Sequence, residues 1–225
     1  MLDLSKPTAR RGFLGRLAAV AALPFIGTAF RPSHYDDTGS LPSPDDKWLR
    51  TLNRKHRVSF DVETHKNGNA LIQGRNYLND WRASFGVPER DINLVMAVRG
   101  TGIPIVLNDA LWQRFHLGEQ YGIIDPTTKS PGTHNLFVAS NVAAGGLVDA
   151  AATVQALQKR GILFLVCHNT VEGATKKLSA AGFGSPDEVR NAILGGILPG
   201  VTLVPAMVIA FTEMQERGVG YVYAG

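Results

Sequence analysis

The chain has 225 residues, of which 44% are hydrophobic and 19% are charged, a composition that excludes a wholly disordered chain and favours one sizeable core. The formal net charge is +4, but residues 1–29 carry four cations against one acid, which leaves +1 for the remainder. Because that remainder is nearly neutral and has no basic stripe, the sequence argues against a nucleic-acid partner.

The first segment, residues 1–29, has the parts of an export signal in order: a basic region, a short apolar run and a small-residue cleavage site. Arg10 and Arg11, followed by Phe13 and Leu14, resemble the motif of the twin-arginine (Tat) signal. The alternative of an amphipathic helix is less favoured, since the apolar run has no helical periodicity. The resemblance implies export through the Tat translocase and a periplasmic location.

The apolar run ends in a region of different composition. The apolar run is shorter than the ~20 residues that a membrane-spanning helix needs. A retained membrane anchor is therefore the minority alternative to cleavage after Ala29. Residues 30–54 are crowded with Pro, Asp, Ser and Gly, which predicts a flexible tether. The domain proper is expected over residues 55–225.

Strand-like and helix-like segments alternate through the domain. Strands are predicted at 58–63, 91–98, 162–166, 201–204 and 219–223. Helices are predicted at 71–86, 110–115, 146–159, 170–181 and 206–217, with a further short helix that begins at Ser185. This alternation, with apolar strands, predicts an α/β fold: a mainly parallel five-stranded sheet with helices on both faces.

The long connection after the second helix and the last predicted helix each have a distinctive pattern. The connection over residues 116–141 is long for a loop in a small domain, so we expect it to take part in binding or in subunit contact. In the last predicted helix the apolar side chains have helical spacing, which predicts a core-facing stripe rather than a cofactor site. Those side chains are Met207, Val208, Phe211 and Met214.

Ligands of parallel α/β folds bind at the carboxyl ends of the strands. The residues that follow each predicted strand are therefore candidates for the site. The candidate site-lining residues are His65, Asn67, Arg99, Asn108, His168 and Asn169. The turn at Gly100 and Gly102 lacks the third glycine of a dinucleotide-binding motif, so we interpret it as a structural turn.

Cys167 is the candidate catalytic residue, and it is the single cysteine of the chain. It lies where a buried strand meets the start of a helix, and helix N-termini favour the thiolate, which is the nucleophilic form. The alternative is an inert core residue, since unpaired cysteines are among the most buried residue types.

The stretch Arg160–Cys167 and the short helix after it look like the cysteine segment of the DsrE/DsrF-like sulfur-relay family. The resemblance extends over roughly residues 56–225. It implies a homo- or hetero-oligomer in which Cys167 carries sulfur as a persulfide, received from a donor protein and passed to an acceptor protein. The alternative is a non-catalytic ligand-binding or assembly module on the same fold, and accessibility of the thiol distinguishes the two.

Other chemistries find less support in the residue spacing. The histidines have no His-x-x-x-His pattern and the cysteine has no Cys-x-x-Cys partner, so we expect no metal and no cofactor. No Ser-His-Asp order or Walker loop indicates a hydrolase or nucleotide enzyme. Asp61 and Glu63 lie two residues apart on one strand face, where we expect solvent exposure or a lysine partner.

Overall fold

Five parallel strands form one sheet in the structure, a computed structural model that describes residues 47–142 and 145–225. The strands are β1 (His56–Thr64), β2 (Ile92–Thr101), β3 (Leu163–Cys167), β4 (Val201–Val204) and β5 (Gly220–Tyr223). Their order is β4-β3-β2-β1-β5, and each neighbouring pair is parallel. The predicted α/β fold is therefore confirmed. The predicted signal and most of the predicted tether, residues 1–46, lie outside the described residues.

Eight α-helices accompany the sheet within the described part of the chain. They are α1 (Lys47–Arg50), α2 (Asn69–Phe85), α3 (Asp109–Arg114), α4 (Leu117–Tyr121), α5 (Val154–Lys159), α6 (His168–Ala180), α7 (Pro186–Gly195) and α8 (Met207–Glu216). Asn108 caps α3, and Ser185 forms a capping box with Glu188 at the start of α7. These side chains determine where the helices begin, because they bond N–H groups that have no partner inside the helix. No described helix combines the length and apolarity needed to cross a membrane.

The larger apolar core lies on one face of the sheet. Phe60, Met96 and Phe164 point to this face from β1, β2 and β3, and they pack with apolar residues of α2, α5 and α6. Gly74 lets α2 approach β2 closely, since a methyl group added there would collide with the end of Met96. Alternation of side chains along each strand sends the intervening residues to the opposite face.

A smaller core lies on that opposite face, beneath α8 and α1. Val95 of β2 and Leu165 of β3 are fully buried there, together with Met207 and Met214 of α8. Helices therefore cover both faces of the sheet, as the sequence predicts. Val208 of the same helix is 68% exposed, so the prediction that it belongs to the core is wrong.

The domain begins earlier than the sequence predicts. Trp48, Leu49 and Leu52 are buried in the smaller core, although they fall within the segment predicted as a tether. The backbone N–H of Arg54 also donates to the Asn93 side chain, over 2.8 Å. Residues 47–54 therefore belong to the packed domain, because these apolar side chains complete the cover over one sheet face.

The predicted helix at 146–159 is shorter and is interrupted. A 3₁₀ turn at Ala150–Ala152 precedes α5, and each segment has its own capping residue. Asp149 accepts N–H groups at the start of the turn, and Thr153 accepts the Ala156 N–H at the start of α5. Two successive caps end one helical segment and start another, which apolar periodicity does not reveal.

The long segment over residues 116–141 is built into the larger core. It contains α4, and its residues Leu117, Ile123 and Phe137 are fully buried. The buried Asn135 amide donates to three backbone carbonyls of the segment that follows β2, at 2.6 to 3.3 Å. Internal packing accounts for the length of this segment, and the predicted role in binding or subunit contact stays a prediction.

Candidate functional site

A cavity of about 430 Å³ opens at the carboxyl ends of β2 and β3. Three of the residues chosen from the sequence line it together: Cys167, Arg99 and Asn169. The remaining walls come from the last residues of β2, from α4, from one side of α6 and from the first turn of α8. The cavity thus lies where parallel α/β folds bind ligands, beyond the strand ends.

Cys167 is the last residue of β3 and the N-cap residue of α6. The residue is 5% exposed, and its Sγ accepts a hydrogen bond from the backbone N–H of Met207 over 3.3 Å. Met207 is the first residue of α8, so the sulfur lies beside the starts of two helices. Both helix dipoles direct partial positive charge toward this part of the cavity.

Arg99 lies level with Cys167 on the neighbouring strand, because Val98 and Val166 are paired in the β2–β3 register. Its guanidinium donates to both carboxylate oxygens of Asp61, at 2.8 and 3.0 Å, and to Glu63 at 2.9 Å. These bonds raise the pKa of Arg99 further above its usual range. The arginine is therefore a fixed cation in the cavity wall.

Asp61 is 1% exposed, so the expectation of a solvent-exposed carboxylate or a lysine partner is wrong. Besides Arg99, it accepts a hydrogen bond from the hydroxyl of Tyr221 over 2.7 Å, and this bond raises the pKa of Tyr221 to about 12. The Tyr223 hydroxyl donates to Glu63 over 3.3 Å. A polar network thus joins β1, β2 and β5.

The carboxyl end of β2 is hydrogen-bonded to α6. Gly100 has a φ of 54°, and a side chain there would approach the Glu63 carbonyl oxygen to 2.7 Å, so this position needs glycine. Its backbone N–H donates to the Thr170 hydroxyl over 2.9 Å. This bond holds the end of β2 against the first turn of α6.

Lys177 and Tyr121 form the end of the cavity away from β3. The Lys177 ammonium lies 4.1 Å from the centroid of the Tyr121 ring and donates to the Gln120 carbonyl oxygen. Desolvation raises the pKa of Tyr121 to about 12, so the phenol is neutral at ordinary pH. Among the described residues, no carboxylate forms an ion pair with Lys177.

His65 and Asn67 lie outside the cavity walls. The Nδ1 atom of His65 accepts the Asn67 N–H over 3.2 Å, so the proton lies on Nε2 and is donated to the Tyr121 carbonyl over 3.0 Å. Burial lowers the pKa of His65, which keeps the imidazole neutral. Its role in the structure is to connect the turn after β1 to α4.

Asn108 and His168 also lie away from the cavity. The Asn108 side chain is used as the cap of α3. His168 lies in the first turn of α6, with Nε2 3.7 Å from Glu172. Two hydrogen bonds from Arg190, at 2.7 and 2.8 Å, hold Glu172 and lower its pKa, which turns this acid toward α7.

Sequence reasoning missed Lys177 and Tyr121 as cavity residues. The signal for the lysine was available, since Thr170, Gly173, Ala174 and Lys177 recur at helical spacing along one side of α6. No such signal identifies Tyr121, which reaches the cavity through the folding of the long segment. Within residues 47–142 and 145–225, no three His, Cys, Asp or Glu side chains are grouped to hold a metal ion.

No family model matches the chain, and no curated protein matches it. Among solved structures it is similar to a protein of unknown function from Methanobacterium thermoautotrophicum. The two are 15% identical, with a TM-score of 0.40, over 75% of this chain and 98% of that one.

Proposed function

We propose that the protein is a sulfur carrier that holds a sulfur atom as a persulfide on Cys167. The observation that carries this proposal is that Cys167, although buried at the edge of the smaller core, also lines a cavity of about 430 Å³. The sulfur lies beside two helix N-termini and accepts the Met207 N–H, so an anionic sulfur species there has favourable electrostatic surroundings.

The proposed transfer exchanges one S–S bond for another. The Cys167 thiolate, its proton given up to solvent, attacks the outer sulfur of a donor persulfide. As the new bond forms, the donor S–S bond breaks and its electron pair leaves on the donor thiolate. An acceptor thiolate then attacks the outer sulfur on Cys167 in the same way. The steps balance without an external oxidant or reductant.

A second proposed role, that of an assembly module, is favoured by a different observation. Five of the seven large apolar side chains that are most exposed in the described residues lie on α8 and β5. They are Val208, Ile209, Tyr221, Val222 and Tyr223. Exposed apolar side chains of this kind are typical of protein contacts, so we propose that the chain forms a homo-oligomer through the α8 and β5 edge of the domain.

The place of action belongs to the same proposal and rests on the sequence. The motif at Arg10 and Arg11 favours Tat export to the periplasm, with cleavage after Ala29. Replacement of both arginines by lysine is expected to keep the precursor in the cytoplasm. Normal export of that variant would exclude the Tat assignment.

The carrier proposal is tested by the intact mass of the protein after incubation with inorganic polysulfide. We expect the mass to increase by one sulfur atom or more, and the increase to disappear in Cys167→Ser. Iodoacetamide should alkylate the native protein, and prior loading with sulfur should slow that reaction. If Cys167 reacts only after denaturation, the thiol is structural and the carrier proposal is wrong.

A further inference from the structure

One side of α6 forms the long wall of the cavity. Thr170, Gly173, Ala174 and Lys177 have the spacing of neighbours on a single helix side, and all four line the cavity. Cys167 lies ten residues before Lys177, so the wall extends for about 15 Å at the rise of an α-helix. The cavity is therefore a groove with the sulfur at one end and the ammonium at the other.

The two ends differ in charge balance. Arg99, near the sulfur, is neutralised by Asp61 and Glu63. Lys177 contacts only a carbonyl oxygen and an aromatic ring among the described residues, neither of which cancels its charge. A ligand that extends along the groove would therefore place an anionic group at the Lys177 end.

The middle of the groove is open. A methyl group added at Gly173 would meet no atom within 4 Å, and its neighbour in the wall is the small Ala174. The volume of about 430 Å³ lies in the range of small-molecule sites, roughly 300–1,000 Å³. Inorganic sulfide or polysulfide would occupy only the part near Cys167.

We propose that the groove binds a low-molecular-weight thiol persulfide of the small-peptide type, with its sulfur at Cys167 and a carboxylate at Lys177. An extended tripeptide spans about 10 Å, and the long lysine side chain reaches over the remaining distance. This inference rests on the proposed function, since it names the class of sulfur donor or acceptor that the same site takes.

The test uses S-methylglutathione, which has the peptide and the carboxylates but cannot transfer sulfur. Calorimetry on the full chain should detect binding, and Lys177→Gln should weaken it about tenfold. Lys176→Gln is the matched control, because this neighbouring lysine is exposed and does not line the cavity. Bound S-methylglutathione should also slow alkylation of Cys167.

A second variant tests the groove by its shape. Gly173→Leu fills the open middle, so it should abolish binding of S-methylglutathione while polysulfide still loads Cys167. Absence of binding, or equal binding by both lysine variants, would overturn this inference. Loading by polysulfide without any peptide binding would leave the carrier proposal standing and remove only the peptide persulfide. If S-methylglutathione binds but polysulfide never loads Cys167, the groove does bind a peptide thiol derivative and the carrier proposal is wrong.

Discussion

The two faces of the sheet are stabilised in different ways. On the face toward α2 and α6, apolar side chains from β1, β2 and β3 form one continuous core. On the opposite face, the smaller core includes no residue of β1 or β5 within the described chain. The part of that face formed by β1 and β5, the polar half, instead holds a hydrogen-bonded network. In it, Arg99 and Tyr221 donate to Asp61. The cavity opens between the two halves of this face. Cys167 belongs to the apolar half, and Arg99 belongs to the polar half.

A polar network can thus take the place of apolar packing on one part of a sheet face. Where α8 covers the sheet, hydrophobic burial is available to stabilise the strands. Over β1 and β5, the buried Asp61 carboxylate is acceptable because each of its oxygens has a hydrogen-bonded partner. Mutations in the two halves should therefore differ in their effect on the free energy of unfolding and on its pH dependence.

The largest effect is expected in the continuous core. Phe164→Ala removes a fully buried ring from β3 and should lower the free energy of unfolding by about 3–5 kcal/mol. Urea denaturation followed by circular dichroism measures this change. Phe85→Ala is the control, since that ring is 72% exposed and its loss should cost less than about 1 kcal/mol. Equal losses for the two variants would contradict the assignment of the core.

Disruption of the polar network should lower the free energy of unfolding by a smaller amount. Asp61→Ala deprives Arg99 and Tyr221 of their shared acceptor, and we expect unfolding to become easier by about 2–3 kcal/mol. Glu63→Ala is the matched control, because its side chain is 42% exposed and its ion pair should contribute less than about 1 kcal/mol. A similar effect of both changes would mean that burial of Asp61 does not matter.

Association tests the exposed apolar side chains of α8 and β5. The double change of Ile209 and Val222 to Asp places charges among the exposed apolar side chains and should weaken self-association at least tenfold. Light scattering over a concentration series gives the dissociation constant. Phe85→Asp adds a charge at another exposed apolar position and should leave association unchanged. A monomeric parent protein would remove the proposed oligomer.

The smallest effect concerns one hydroxyl group. Tyr221→Phe should lower the free energy of unfolding by about 1 kcal/mol through loss of its bond to Asp61. That bond raises the pKa of Tyr221 from 10.0 to about 12. Its contribution is therefore complete below pH 10 and lost as the pH rises through 12. Denaturation at pH 8 and pH 11.5 should show a smaller difference between parent and variant at the higher pH, and an unchanged difference would contradict the bond.

Sequence reasoning predicted the fold well because its signals are local. All five strands lie within two residues of the predicted segments at their N-terminal ends, and Asn108 and Ser185 cap helices as their types suggest. Apolar runs and capping residues act over a few positions, so one sequence is enough to recognise them. The short apolar group at Trp48 was missed because the surrounding prolines and aspartates dominate the local composition.

The candidate site was predicted only in part, since it depends on contacts between distant segments. Cys167, Arg99 and Asn169 meet because parallel strands end at one edge, a rule that applies without coordinates. The partnership of Asp61 with Arg99 and Tyr221 joins residues 38 and 160 positions apart. The use of His65 in a backbone connection likewise depends on α4, whose position the sequence does not indicate.

The strand order also has a consequence for how the chain folds. β1 lies between β2, which follows it closely, and β5, whose Tyr221 is 160 positions away from Asp61. Joining β1 to β5 closes a long loop, and the entropy lost in closing it must be recovered before the pairing becomes favourable. We therefore expect the β1–β2 pairing to form early and β5 to join late, so that Asp61 remains without its tyrosine partner through most of the folding reaction.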